Sequence, residues 1–238
     1  MPLKRFLTAI VFLAGTIHCF GQETVEKKHR INDDVTEKFQ VLKTNEDVKN
    51  GLYIAYYHRP KHLLVRGTYT MGKKSGKWYF FSPLGKLLEM YDYTYGALRF
   101  EAQDSPEQSI SYLIDQKISD TDRITKPVKI GGRYFGYLPY LGLYKTPFNP
   151  YQYNTVGTVA IIELLISPLG RLADYKIHVV SQFMQYDQTT TMDINLLKEE
   201  DKQFIPATFN GEPILSRIVI RCRVTEDGGL DFLYNNAF

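Results

Sequence analysis

Apolar and polar positions divide the chain into two differently patterned blocks. Over residues 49–96, short aromatic and β-branched runs are cut by Gly, Pro or Lys-Gly. "KSGKWYFFS" repeats the earlier "KNGLYIAYYH", and "LLEMYDYTYG" repeats "LLVRGTYTMG", a spacing of 24 to 25 residues. "TMGKKSG" and "SPLGK" are turn signals. The pattern predicts short antiparallel strands joined by hairpins, each unit burying its face against its neighbours. Period-two alternation puts Trp78 and Phe80 on one face, Tyr79 and Phe81 on the other. Both faces are aromatic, so one is expected in the core and the other as a partly exposed surface.

The second block begins near "PVKIGGRYFGYLPYL". In "TVAIIELLIS", Ala160, Ile162, Leu164 and Ile166 fall on one side and Glu163 on the other. In "RLADYKIHVV", Ala173, Tyr175, Ile177 and Val179 oppose Asp174, Lys176 and His178, with "SPLG" as the hairpin turn between the runs. "TTTMDINLLKEEDK" has helical spacing, with a threonine cap and Asp193 three residues after Thr190. "ILSRIVIRCRV" closes the block with Ile214, Ile218, Ile220, Cys222 and Val224 inward and Arg217, Arg221 and Arg223 outward. The expected fold class is α+β: antiparallel hairpin repeats over 35–103, then a small antiparallel sheet with one packed helix over 128–225. Residues 104–127 are polar and broken and read as a connector, and 226–238 as a tail.

The N-terminus changes the setting. Lys4 and Arg5 precede an apolar run over residues 6–17, and Cys19 and Gly21 supply small residues at the −3 and −1 positions. This predicts a signal peptide over 1–21, cleaved before Gln22, with residence in the periplasm or at the cell surface. The run is shorter than the ~20 apolar residues of a membrane anchor. Of 29 Lys and Arg, loss of Lys4 and Arg5 leaves 27 against 26 Asp and Glu. That balance attracts neither nucleic acid nor an anionic membrane, and no stable membrane insertion is expected after cleavage. Of two cysteines only Cys222 then remains, so no intramolecular disulfide is expected.

Gly76, Trp78, Tyr79, Gly85, Lys86, Leu87 and Tyr91 resemble the variant MORN repeat; upstream, "HRPKH" departs from its Gly-Lys turn. In the second block, Gly157-Thr158-Val159, Gly170, Phe204, Pro206-Ala207, Gly211, Pro213 and the closing apolar strand resemble the TonB C-terminal domain. The first resemblance implies a repeat that contacts partners without catalysis. The second implies a small sheet that engages peptide segments by strand addition.

Candidate chemistry is sparse. Asp174, His178 and Ser181 have the residue types of a nucleophilic triad. On one strand, however, Asp174 and His178 stand about 13 Å apart, far beyond hydrogen-bond reach. His58 and His62 flank "RPK" in a loop, and zinc wants three or four ligands. Gly131-Gly132 lacks the Lys and Ser/Thr of a phosphate loop and reads as a turn. Asp115, Asp120 and Asp122 lack the glycine and closing glutamate of a calcium loop. No enzyme, cofactor or metal is therefore expected. The sequence points to a non-catalytic exported envelope protein that binds a protein partner, peptide segment or envelope component. The alternative is a TonB-type energy transducer coupling inner-membrane energy to outer-membrane transport, if the N-terminus is retained as an anchor. The expected binding residues are Arg217, Val219, Arg221 and Arg223 on a strand at a sheet edge, together with Trp78. The arginines either keep an outer face soluble or also select an acidic or extended peptide.

Overall fold

The computed structural model describes residues 23–59, 61–104, 109–147, 157–181 and 185–233. The expected signal peptide and the end of the expected tail lie outside the described residues. Over these residues the fold is mostly antiparallel sheet with one short α-helix.

The first block folds as a seven-stranded meander in sequence order: β1 (Thr24–Arg30), β2 (Val35–Leu42), β3 (Asn45–Tyr57), β4 (His62–Thr70), β5 (Lys73–Phe81), β6 (Leu87–Asp92) and β7 (Ala97–Glu101). The alternation expected for Trp78–Phe80 and Tyr79–Phe81 is present: the first two are 1% exposed, the second two half-buried. One irregularity shapes the sheet. Arg66 pairs with Tyr79 and Thr68 with Ser75, so one residue of β4, Gly67, stands opposite three of β5. The bulge turns Trp78 beneath Gly67, where a Cβ on the glycine would lie 2.1 Å from the indole. Only glycine allows that approach. The indole N–H donates to the Thr68 and Ser75 carbonyls, both at 3.2 Å, so the buried donor is satisfied.

The second block begins with β8 (Ile110–Ile114), β9 (Ile124–Thr125) and β10 (Val128–Lys129), then α1 (Leu138–Gly142). It continues with β11 (Thr158–Ile166), β12 (Leu172–Ser181), β13 (Tyr186–Thr191), β14 (Phe204–Ile205), β15 (Ala207–Phe209) and β16 (Glu212–Ile214), and closes with β17 (Ser216–Val224) and β18 (Leu230–Phe232). The main sheet runs β13-β12-β11-β17, and β8 and β18 share the far side of β17. The small strands pair as β10-β14 and as β16-β15-β9. The β11–β12 hairpin turns at the predicted "SPLG", with the Gly170 N–H donating to the Ser167 carbonyl at 2.9 Å. Ala160, Ile162, Leu164, Ile166, Tyr175, Ile177, Ile218, Ile220 and Cys222 are all buried, as the alternation requires.

Three expectations are corrected. Ala173 is exposed and Leu172 takes its inward place, because Ile166 pairs with Leu172 and Leu165 with Asp174, leaving Ala173 as the extra residue of a bulge. The predicted helix at "TTTMDINLLKEEDK" is absent. Its threonines belong to β13, where β-branched side chains suit a pleated surface. Asp193 caps only a 3-10 turn over Ile194–Leu196, accepting the Asn195 N–H, and no apolar residue follows Leu197 before Phe204 to extend a buried stripe. Among the described residues the one α-helix is instead the five-residue α1, with proline in its first turn. Finally, the expected connector and tail supply β8, β9 and β18, so both contribute strands to sheets of the second block.

The two blocks share one core. The segment before and through α1 lies between the sheets: Tyr134 packs edge-on to Tyr57 at 6.0 Å and against Phe232 at 5.3 Å. A Cβ on Gly132 would meet the Phe80 Cβ at 2.7 Å. Arg133 donates to the Ala102 and Gln103 carbonyls at 2.9 and 3.1 Å and pairs with Asp104. Lys74 pairs with Glu200 at 2.8 Å across the same junction.

Candidate functional site

The expected binding residues do not assemble a site. Trp78 is core. β17 is paired on both sides, to β11 along one flank and to β8 and β18 along the other, so it is an interior strand and the edge expectation is corrected. Arg217 donates to both oxygens of Asp115 at 2.7 and 2.8 Å, and its Nε stands 3.3 Å from Glu163. Arg223 pairs with Asp231 at 2.6 Å. Val219 is half-buried between Glu163 and Ser111, and Arg221 alone of the three arginines is without an ion pair among the described residues.

The residues of the apparent triad are also dispersed. Asp174 pairs with Lys176 at 2.9 Å, His178 with Asp187 at 2.7 Å across β12–β13, and Ser181 is buried against the Thr158 hydroxyl. His58 bridges the Thr36 hydroxyl and the Asp33 carbonyl, whereas His62 contacts the Pro83 carbonyl. Among the described residues no group of three His, Cys, Asp or Glu side chains is placed to hold a metal ion. No helix among them is long and apolar enough to cross a membrane. Burial pushes the Cys222 thiol up to about 12 and keeps it unreactive.

Among the described residues, two open surfaces stand out. One is the outer flank of β13, which pairs with β12 and with no other strand among the described residues. The other is the outward face of the seven-stranded sheet. Register sets Lys38, Ile54, Arg66, Tyr79, Met90 and Phe100 in one row across β2–β7. The β4–β5 bulge opens a hollow of about 470 Å³ beside this row, floored by Leu52, Leu63, Tyr79 and Phe81 and rimmed by Arg66 and Lys77. Leu52 is 41% exposed and also borders a smaller hollow with Gln40 and Ile54.

The alternation expected a partly exposed aromatic face here, with Tyr79 and Phe81 on it, but not the cations beside them. Residues 48–88 contain eight Lys and Arg and not one Asp or Glu, a local excess hidden in the near-neutral total. Comparison with protein-family models, curated proteins and solved structures gives no match.

Proposed function

We propose that this chain is a non-catalytic exported protein of the cell envelope that holds a protein partner by main-chain pairing at an open sheet edge. The contrast between two outer strands carries this reading. β1, "TVEKKHR", lines its edge with Glu26, Lys27, Lys28, His29 and Arg30, the charged guard that keeps strands from pairing with other chains. β13, "YDQTTT", has a single charge, Asp187, already held by His178, and three threonines of high β-propensity. On the opposite flank of that sheet the edge is divided between β8 and β18, strands of five and three residues. An unguarded strand offers its free N–H and C=O groups for affinity and its side chains for specificity. The resemblances to the TonB C-terminal domain and to variant MORN repeats support a binding role, and the signal-like N-terminus supports export.

Site-specific photo-crosslinking in the native host tests the reading. A crosslinker at Gln188 is expected to give discrete adducts with envelope proteins, and one at Lys28 none. Absence of adducts at Gln188, or equal adducts at both strands, removes it. N-terminal sequencing is expected to begin at Gln22; a chain retaining residues 1–21 favours the energy transducer.

A further inference from the structure

The cations of the acid-free stretch are treated differently by the two faces of the sheet. Those turned inward have acidic partners brought from elsewhere: Lys74 pairs with Glu200 at 2.8 Å, and Lys49 lies 3.9 Å from Glu37. Those turned outward do not. Arg66 and Lys77 are exposed, rim the hollow, and make no ion pair among the described residues. The carboxylate opposite Lys77 in register is Asp92, which is buried, accepts the Thr94 and Tyr95 N–H groups, and stands 3.9 Å from Arg99. Two uncompensated cations above an apolar floor define the ligand: a carboxylate for the rim and a bulky apolar group for the hollow.

The shape favours an extended occupant. Leu52 is shared by the large hollow and the small one beyond it, where Glu26 of β1 is neutralised by Lys38 at 2.9 Å, so the open surface runs across β1 to β5. A flat layer of lipid headgroups would meet the rim of a recess but leave its floor unfilled. An alternating side chain enters it. We propose that this face binds an acidic peptide segment of a protein partner, with carboxylates on Arg66 and Lys77 and an apolar side chain seated between Leu52, Leu63, Tyr79 and Phe81. This surface is separate from the β13 edge and stands or falls independently of it.

The test is fluorescence anisotropy of a labelled octapeptide of alternating Asp and Leu or Phe, titrated with the full chain. Binding is expected, weakening as salt is raised, and the peptide with Lys in place of Asp is expected not to bind. Arg66→Ser with Lys77→Ser is expected to weaken binding about tenfold or more, the scale of lost charge-assisted hydrogen bonds, at an unchanged melting temperature. Leu52→Ser is expected to weaken it as well, whereas Lys28→Ser on β1 with Lys43→Ser in the β2–β3 turn leaves it unchanged. Equal binding by wild type and the Arg66/Lys77 variant overturns the proposal, as does failure to bind the acidic peptide. Binding of phosphatidylglycerol vesicles or soluble polyphosphate through the same two residues, without the peptide, overturns it in favour of a non-peptide anion.

Discussion

The Glu89 carboxylate on β6 accepts the backbone N–H of Gly131 through Oε1 at 2.9 Å, and its other oxygen takes the Gly132 N–H at 3.1 Å. The contact spans the junction between the seven-stranded sheet and the segment leading to α1. The side chain is 2% exposed, so the two amides replace the water that a carboxylate would otherwise hold.

Burial pushes the Glu89 carboxyl up to about 7, outweighing the two amide donors; Glu101, its cross-strand partner, pushes the same way, and Lys129 opposes. The folded chain therefore holds this proton more tightly than the unfolded chain, whose carboxyl titrates near 4.5. Protons are released on unfolding between those values, so stability falls as pH rises from about 4.5 to about 7. The loss is on the order of 3 kcal/mol. Urea unfolding at pH 5 and pH 7.5 is expected to show wild type weaker at the higher pH, and the difference much reduced in Glu89→Gln. A wild type equally stable at both values contradicts this.

Gly67→Ala is expected to cost about 1–3 kcal/mol, because its methyl group would land inside the Trp78 ring and the indole is fixed by its own hydrogen bonds. Gly142→Ala, where no atom lies within 4 Å of the added carbon, is expected to be nearly neutral. Thermal melts of the two variants separate the cases.

Ile220 is fully buried and Arg221 exposed on the same strand. Ile220→Asp is expected to cost several kcal/mol by placing an unpaired charge in the core, whereas Arg221→Ser changes little. Equal effects in urea titrations would mean that the faces of β17 are misassigned.

The shared core predicts one calorimetric transition for the whole chain, because aromatic contacts such as Tyr57–Tyr134 join the blocks. A fragment of residues 125–226 lacks β8 and β18, losing Phe232 and the pairing along one side of β17. It is expected to melt without cooperativity. A sharp transition in that fragment would show that the first sheet is dispensable to the second.

Alternation of side chains is a local property, and it was legible in the sequence. The inward rows of β11 and β17, the turn at Ser167 to Gly170 and the opposite faces of Trp78 and Tyr79 all follow from period two. Where strands lie relative to one another is not local. Nothing near residues 110–114 or 230–232 signals that they flank β17, and Arg217 finds Asp115 across 102 residues of sequence. The threonines of β13 suit a strand by propensity, yet apolar spacing farther on imitated a helix that had no buried face to fill. The site divides in the same way. The excess of Lys and Arg over residues 48–88 is written in the chain, but which of those cations are neutralised depends on the carboxylates the fold brings up. Lys49 and Lys74 meet Glu37 and Glu200 on the inward face, while Arg66 and Lys77 are left beside a hollow that a bulge opens.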